Sequence, residues 1–184
     1  NCHMVQMCGC HPILVDTNEE TGFVVDVGDI EKAVTGRTKA VIINSPNNPT
    51  GMVYDRTSLE KICGLAKKYG FAIVWDECYK HIVYGDGFVS ILEIAGSKDI
   101  SVVINSCSKE FSMTGWRLGY AAAPRELVAN MAKLQENMVA CAPLPSPYAA
   151  IAAYRGGIPE TEEMTQGFER RRNMLVSGTN GIDG

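Results

Sequence analysis

The sequence predicts an α/β domain built on a mostly parallel β-sheet. Short apolar runs that suit strands alternate with longer amphipathic segments that suit helices, at a spacing of roughly thirty residues. The runs at residues 40–43 and 71–75 are continuously apolar, a pattern typical of strands covered on both faces. In such sheets ligands bind beyond the carboxyl ends of the strands. Polar residues that directly follow a strand are therefore the first candidates for function.

Composition and charge restrict the classes of protein to which the chain can belong. It has 184 residues, 46% of them apolar, and a net charge of −4 from 17 basic and 21 acidic residues. This length suits one domain with a sizeable core. The mild acidity argues against binding to nucleic acid or to an anionic membrane surface, and the longest apolar runs are too short to span a bilayer. Because no secretory signal opens the chain, we expect a cytoplasmic protein.

Seven cysteines are spread irregularly along the chain. Their odd number does not suit a secreted disulfide framework, so we interpret them as reduced thiols. Cys8 and Cys10, with His3 and His11 nearby, suggest a metal site as an alternative. Structural zinc sites combine two ligand pairs at wider internal spacings, so we predict no metal site here.

The first half of the chain contains three predicted strands and two predicted helices. The strands lie at residues 13–15, 40–43 and 71–75, and the helices at residues 29–34 and 57–69. In the longer helix, Thr57 and Glu60 have the spacing of a capping box. Gly70 is expected to end this helix, because glycine readily adopts the left-handed conformation found after a last turn.

The second half contains two predicted strands and three helical segments. The strands lie at residues 100–104 and 118–123, and the later helical segments at residues 146–154 and 160–176. Pro124 opens the first helix of this half, since proline suits a first helical turn. Its apolar stripe, which we expect to pack in a core or an interface, consists of Leu127, Val128, Met131, Leu134 and Met138.

Polar clusters follow the strands at residues 40–43 and 71–75. The first cluster is a loop at residues 45–51, where two prolines and a glycine hold the amide of Asn48 in a rigid turn. The second begins with Asp76, a carboxylate placed directly after a fully apolar strand. Such a carboxylate stays ionised only beside a cation or several hydrogen-bond donors, so Asp76 predicts a cationic partner.

A third cluster follows the strand at residues 100–104. It contains two hydroxyls, from Ser106 and Ser108, and two cations, from Lys109 and Arg117. Hydroxyls and cations around one loop suit a phosphate group. Lys109 is also a candidate nucleophile if burial or neighbouring cations lower the pKa of its amine.

Together the three clusters resemble the fold-type I pyridoxal-phosphate enzymes and, more narrowly, class I/II aminotransferases of the aspartate and aromatic type. The resemblance rests on SPNNPTG at residues 45–51, DECY at 76–79 and SCSKEFSMTGWRLGY at 106–120, and it extends along almost the whole chain. It implies a three-layer fold whose mostly parallel sheet contains one antiparallel strand, the large domain of these enzymes, incomplete here. It also implies pyridoxal phosphate as cofactor, and amino acids and 2-oxo acids as substrates.

The resemblance further implies a role for each candidate residue. Lys109 would form the internal aldimine with the cofactor and later carry a proton between the substrate Cα and the cofactor C4′. Asp76 would pair with the pyridinium nitrogen and keep it protonated. Tyr79 and Asn48 would donate hydrogen bonds to the phenolic oxygen of the ring. The phosphate would be held by Ser106, Ser108 and Arg117.

The same resemblance implies that family members are considerably longer than this chain. We expect residues 1–155 to form part of the cofactor-binding large domain and residues 156–184 to lead towards a small domain outside this sequence. The glycine-containing phosphate loop, the ring that stacks on the cofactor and the arginine that binds the substrate carboxylate would also lie outside it. The three arginines at residues 170–172 are interpreted as a solvated or interfacial helix face.

An incomplete sheet has a structural consequence. We predict that the last four strands form a contiguous sheet. The strand at residues 13–15 would be displaced, loosely attached or paired with another chain, because a bare sheet edge recruits partners.

Other functions were weighed against this one. A Ser-His-Asp hydrolase would need a G-x-S-x-G elbow, which does not occur, so His81 is interpreted as structural. A dinucleotide-binding domain would need a G-x-G-x-x-G loop after a strand, which does not occur either. A pyridoxal-phosphate-dependent C–S or β-lyase would use the same residues, and a truncated domain without catalysis is a third possibility. We predict an aminotransferase that is a homodimer as a whole protein, binds neither nucleic acid nor membrane, and is inactive as this chain alone.

Overall fold

The computed structural model describes residues 2–85 and 87–182, which are organised around a four-stranded sheet. Its strands are β1 (Ala40–Asn44), β2 (Ala72–Asp76), β3 (Ser101–Ser106) and β4 (Gly119–Ala122), in that spatial order. β1, β2 and β3 are parallel, and β4 is antiparallel to β3. The mostly parallel α/β fold with one antiparallel strand is therefore confirmed, as is the contiguity of the last four predicted strands.

Seven α-helices are present in the described part of the chain. They are α1 (Cys2–Met7), α2 (Val27–Ala33), α3 (Arg56–Tyr69), α4 (Cys107–Glu110), α5 (Arg125–Met138), α6 (Pro145–Gly156) and α7 (Ile158–Thr179). Short 3-10 turns occur at Glu19–Thr21, Ile91–Glu93 and Thr114–Trp116. None of the helices described combines the length and the apolar character required to cross a lipid bilayer.

The strand predicted at residues 13–15 is wrong. This segment has no regular secondary structure and lies outside the sheet, with Ile13 and Leu14 exposed. The local apolar run is strand-like, but a strand is stable only when a neighbour pairs with its backbone N–H and C=O groups. Its position outside the sheet agrees with the expected displacement.

Two helices begin earlier than predicted, because an aspartate caps each of them. Asp26 accepts a hydrogen bond of 2.7 Å from the backbone N–H of Gly28, and Asp55 accepts one of 2.8 Å from that of Ser58. The capping box predicted from Thr57 and Glu60 is therefore wrong, since the carboxylate of Asp55 already occupies that role. The predicted end of α3 is confirmed: Gly70 adopts the left-handed conformation, with φ of 71°.

One face of the sheet is packed and the other is more open. On the packed face, Ile43, Trp75 and Val103 lie in register and are buried. They share a core with the buried apolar side of α3, formed by Leu59, Ile62, Cys63, Leu65 and Ala66. On the open face, Ile42 and Ile104 are exposed. The alternation of side chains along each strand places Asp76 on this more open face.

The apolar stripe of α5 is exposed rather than packed in a core. The exposed fraction of Leu134 is 63% and that of Met138 is 78%. Leu127, Val128 and Met131 are also exposed. No face of α5 is buried in the described part of the chain, so packing of its apolar stripe in a core is not observed there.

Candidate active site

The carboxyl ends of β1, β2 and β3 meet at one edge of the sheet. Asn44 is the register partner of Asp76, and Asp76 is the partner of Ile104. The amide of Asn44 also donates a hydrogen bond of 3.2 Å to the backbone carbonyl of Asp76. Because the strands are parallel, the loops that leave them emerge side by side, as the sequence predicted.

The loop after β1 presents the side chain of Asn48 towards the loop after β2. The side-chain oxygen of Asn44 accepts a hydrogen bond of 2.9 Å from the backbone N–H of Asn48. Asn47 accepts a second one of 2.8 Å from the hydroxyl of Thr50, which closes the turn. In this conformation, Nδ2 of Asn48 donates a hydrogen bond of 3.1 Å to the hydroxyl of Tyr79. Two of the predicted site residues are thus in direct contact.

Asp76 is the last residue of β2 and organises the residues that follow. Its Oδ1 accepts a hydrogen bond of 3.0 Å from the backbone N–H of Cys78. Burial, together with the charge of Asp76, raises the pKa of Cys78 to about 12, whereas the charge of Lys109 acts in the opposite direction. The Cys78 thiol is therefore within electrostatic range of both the carboxylate of Asp76 and the ammonium of Lys109.

Lys109 lies on the single-turn helix α4 that follows β3. Ser106 caps this helix by accepting a hydrogen bond of 3.1 Å from the backbone N–H of Ser108. Lys109 is exposed and borders an open cleft of about 450 Å³. The cleft is lined by Tyr79, Ile82, Tyr84, Ser108, Lys109, Ser112, Thr114, Met164 and Phe168. A phenol, a hydroxyl and an amine therefore share one concave surface.

Arg117 is not brought into this cleft. Its guanidinium donates a hydrogen bond of 2.9 Å to the carbonyl of Thr114, and its backbone adopts a positive φ of 51°. The nearby Gly119 is required by close packing, because a Cβ there would lie 2.7 Å from the carbonyl oxygen of Asn105. This contact holds β4 tightly against β3, next to the loop that carries Lys109.

Two buried glutamates beside the predicted residues were missed by the sequence analysis. Glu77 accepts hydrogen bonds of 2.6 Å from the hydroxyl of Ser90 and 3.1 Å from the backbone N–H of Ile91. Glu110 contacts His81, the histidine interpreted as structural, at 3.0 Å. Their positions directly after Asp76 and Lys109 were the only available signal, since their partners are distant in sequence.

No metal centre is evident in the described part of the chain. Across residues 2–85 and 87–182, no three His, Cys, Asp or Glu side chains are grouped so that they could hold a metal ion. Cys8 and Cys10 are exposed free thiols.

Comparison with known proteins gives a consistent result. The sequence profile of the family described as Aminotransferase class I and II matches residues 3–183. An aspartate aminotransferase of Geobacillus stearothermophilus is 41% identical over 173 residues, which cover 93% of this chain and 44% of that protein. An aspartate aminotransferase of Thermotoga maritima is 40% identical over 163 residues, covering 89% of this chain and 42% of that protein.

Two solved aminotransferase structures are also similar to this chain. An aromatic aminotransferase from Pyrococcus horikoshii superposes with a TM-score of 0.94 at 36% identity, covering 97% of this chain and 49% of that one. For the aspartate aminotransferase of Thermotoga maritima the TM-score is 0.92 at 37% identity, covering 99% and 48% of the two chains. The chain thus spans about half the length of the relatives it matches.

Proposed function

The chain belongs to the class I and II aminotransferase family, and we propose that it forms the cofactor-binding part of a pyridoxal-phosphate-dependent amino-acid aminotransferase. The reaction would move an amino group from an amino acid to a 2-oxo acid. The observation that carries this proposal is the cleft that Tyr79, Ser108 and Lys109 line together at the carboxyl edge of the sheet. We propose that the whole protein turns over substrate and that this chain alone does not.

The side chains at this edge suit pyridoxal phosphate. When bound, this cofactor supplies an aldehyde that reacts with amines and a ring that accepts the electron pair of a carbanion. Lys109 offers the amine, and the hydroxyl of Ser108 is a donor for phosphate oxygens. Tyr79 and Asn48 offer a hydroxyl and an amide to an oxygen on the ring. The carboxylate of Asp76 is suited to a protonated ring nitrogen.

Each residue then has a definable task. The negative charge of Asp76 would hold a proton on the ring nitrogen, because an adjacent carboxylate favours the charged form of a basic group. Nζ of Lys109 would take up and return a proton at the reacting carbon. Tyr79, fixed by Asn48, would orient the plane of the ring by its hydroxyl.

Phosphate binding is assigned to Ser106, Ser108 and Arg117. The hydroxyl of Ser106 accepts a bond from the Ser108 backbone and keeps its own proton free to donate. Arg117 would exchange its bond with the Thr114 carbonyl for charge-assisted bonds to the phosphate, which are stronger than bonds between neutral groups. This rearrangement is part of the proposal.

A titration with pyridoxal phosphate tests this assignment. We expect the chain to develop an absorption band near the visible edge that Lys109→Ala abolishes and Lys98→Ala, a change of an exposed lysine on the segment before β3, leaves intact. A band of equal strength in Lys109→Ala would contradict the proposal. In the whole protein, adding single amino acids should produce pyridoxamine phosphate and a 2-oxo acid. Release of pyruvate and ammonia would instead identify a β-lyase.

Assembly and domain organisation are proposed on the same basis. The exposed apolar stripe of α5 supports a homodimer of the whole protein, because a contiguous apolar patch of this kind usually marks an interface. We also propose that residues 1–155 belong to the cofactor-binding domain and that residues 156–184 lead to a second domain. A cytoplasmic location is proposed from the number of free cysteines.

A further inference from the structure

A polar cluster forms around a buried carboxylate on the helix that carries Lys109. It consists of Glu110, His81 and Tyr154, and we call it the Glu110 cluster. The carboxylate of Glu110 is 2% exposed. Its Oε1 lies 3.0 Å from Nε2 of His81, and its Oε2 accepts a hydrogen bond of 3.1 Å from the hydroxyl of Tyr154. The function proposed above assigns no role to any of these side chains.

Burying the carboxylate of Glu110 costs free energy. Removing a carboxylate from water is unfavourable unless its oxygens are hydrogen-bonded or paired, and an apolar side chain of similar size would serve packing as well. Burial, the hydrogen bond with Tyr120 and the charge of Glu110 all raise the pKa of Tyr154, so the phenol keeps its proton and donates it. Tyr154 thus satisfies Oε2 of Glu110, whereas Oε1 forms no hydrogen bond with the described residues and depends on its close contact with His81.

The cluster joins the two loops that carry the proposed site. Glu110 directly follows Lys109, and His81 lies two residues after Tyr79. Their contact therefore connects the loop after β2 with the helix after β3. Both sides are also held by α7, because the hydroxyl of Thr161 donates to the carbonyl of Glu110 and that of Thr165 donates to the carbonyl of His81, each at 2.8 Å.

Helix α4 needs such support. It has only four residues, and a single helical turn is not stable without tertiary contacts. The amine of Lys109 forms no hydrogen bond with any residue that the structure describes. The position of Lys109 is therefore set by the neighbours of its helix. Cys107 packs against Met113 and Ala150, and the carboxylate of Glu110 contacts His81 and Tyr154.

We propose that Glu110 is a positioning residue, whose contacts with His81 and Tyr154 hold Lys109 at a fixed place relative to Tyr79. This inference rests on the proposed function, because it concerns the same amine. It assigns to the Glu110 cluster the task of presenting Nζ of Lys109 to the aldehyde, without contact between Glu110 and the cofactor.

Selective labelling of the full chain tests the proposal without requiring turnover. The folded chain is treated with pyridoxal phosphate and reduced with borohydride, and the adducts on Lys109 and Lys98 are quantified by mass spectrometry. We expect Lys109 to be labelled in preference to Lys98, and Glu110→Ala to lower that preference roughly tenfold, because small displacements of a reacting group cost large factors in rate. Circular dichroism in the cofactor absorption band should weaken in parallel, since it reports a fixed orientation.

Conservative variants and a control complete the design. Glu110→Gln keeps an acceptor for Tyr154 and should lower the preference less than Glu110→Ala does. Tyr154→Phe removes the hydroxyl that binds Glu110 and should also lower the labelling preference for Lys109. If Glu110→Ala does not fold, Tyr154→Phe tests the role of the Glu110 contacts in its place. Glu162→Gln changes an exposed glutamate on α7 and should have no effect.

The possible failures are distinguishable. Equal labelling of Lys109 and Lys98 in the unsubstituted chain would overturn the proposed function and this inference with it. Preferential labelling of Lys109 that persists in folded Glu110→Ala and Tyr154→Phe would overturn only the role of Glu110.

Discussion

The amide of Asn48 donates a hydrogen bond of 3.1 Å to the hydroxyl of Tyr79, although 31 residues separate the two in the chain. The bond joins the loops that follow two neighbouring parallel strands. It fixes the two side chains relative to each other. Preorganisation of this kind lowers the cost of ordering side chains when a ligand binds.

The pair should contribute more to cofactor binding than to folding. Asn48→Ala and Tyr79→Phe each remove a partly exposed hydrogen bond, so we expect each to lower the free energy of unfolding by less than about 1 kcal/mol. Both should weaken the binding of pyridoxal phosphate. In a double-mutant cycle on binding, the coupling energy should be about 0.5–1.5 kcal/mol. Tyr148→Phe, at an exposed tyrosine, serves as the control, and strictly additive effects would contradict the prediction.

Cys78 should be an unreactive thiol despite its place beside the cleft. Its pKa of about 12 leaves roughly one thiol in ten thousand ionised at pH 8, and the thiolate is the nucleophile. Alkylation with iodoacetamide should therefore modify the exposed Cys8, Cys10 and Cys141 first.

Removing the nearby carboxylate should partly restore the reactivity of Cys78. Asp76→Asn removes the negative charge that helps to raise this pKa and leaves burial, the largest single cause, in place. We expect faster alkylation of Cys78 in this variant, measured by peptide mass spectrometry, and no change in Asp99→Asn. If Cys78 and Cys141 reacted at the same rate in the unsubstituted chain, the described burial of Cys78 would be wrong.

Glu77 should make stability depend on pH. Burial, only partly offset by hydrogen bonds from Ser90 and Ile91, raises the pKa of Glu77 above its ordinary value of 4.5. The folded chain therefore binds this proton more tightly than the unfolded chain does. It follows that the free energy of unfolding, relative to Glu77→Gln, should increase as the pH falls from 7 towards 4.5.

Urea unfolding at several pH values measures this effect. Glu60→Gln, a change of an exposed glutamate on α3, should show no such trend. Glu77→Ala leaves two donors without an acceptor and should cost about 1–3 kcal/mol at neutral pH. A relative stability that instead rose with pH would mean that Glu77 is stabilised as an anion.

The apolar stripe on α5 should contribute to dimer formation in the whole protein and little to the stability of the fold. Leu134 is 63% exposed, so Leu134→Glu should change the free energy of unfolding by less than about 0.5 kcal/mol. In the whole protein it should shift the sedimentation profile from dimer towards monomer. Ala129→Glu adds the same charge on the opposite side of α5 and should leave the profile unchanged. Loss of folding in Leu134→Glu would show that the stripe packs within the chain.

Much of the fold follows from local features of the sequence. Short apolar runs predicted the four strands of the sheet, and Gly70 predicted the end of α3, because both patterns act over a few residues. The motifs after β1, β2 and β3 were also recognisable in advance, and the parallel order of these strands places the loops that carry Asn48 and Tyr79 side by side.

Other features depended on contacts between distant segments. An apolar run at residues 13–15 does not form a strand, because strand formation requires a neighbour that the run itself does not specify. The stripe of α5 revealed an apolar face but not what covers it. The bond of Arg117 to Thr114 and the burial of Glu110 against His81 and Tyr154 were likewise absent from any local pattern. Periodicity and turn chemistry are short-range properties that the sequence determined alone, whereas burial and partner choice come from packing between elements, which only the tertiary structure decided.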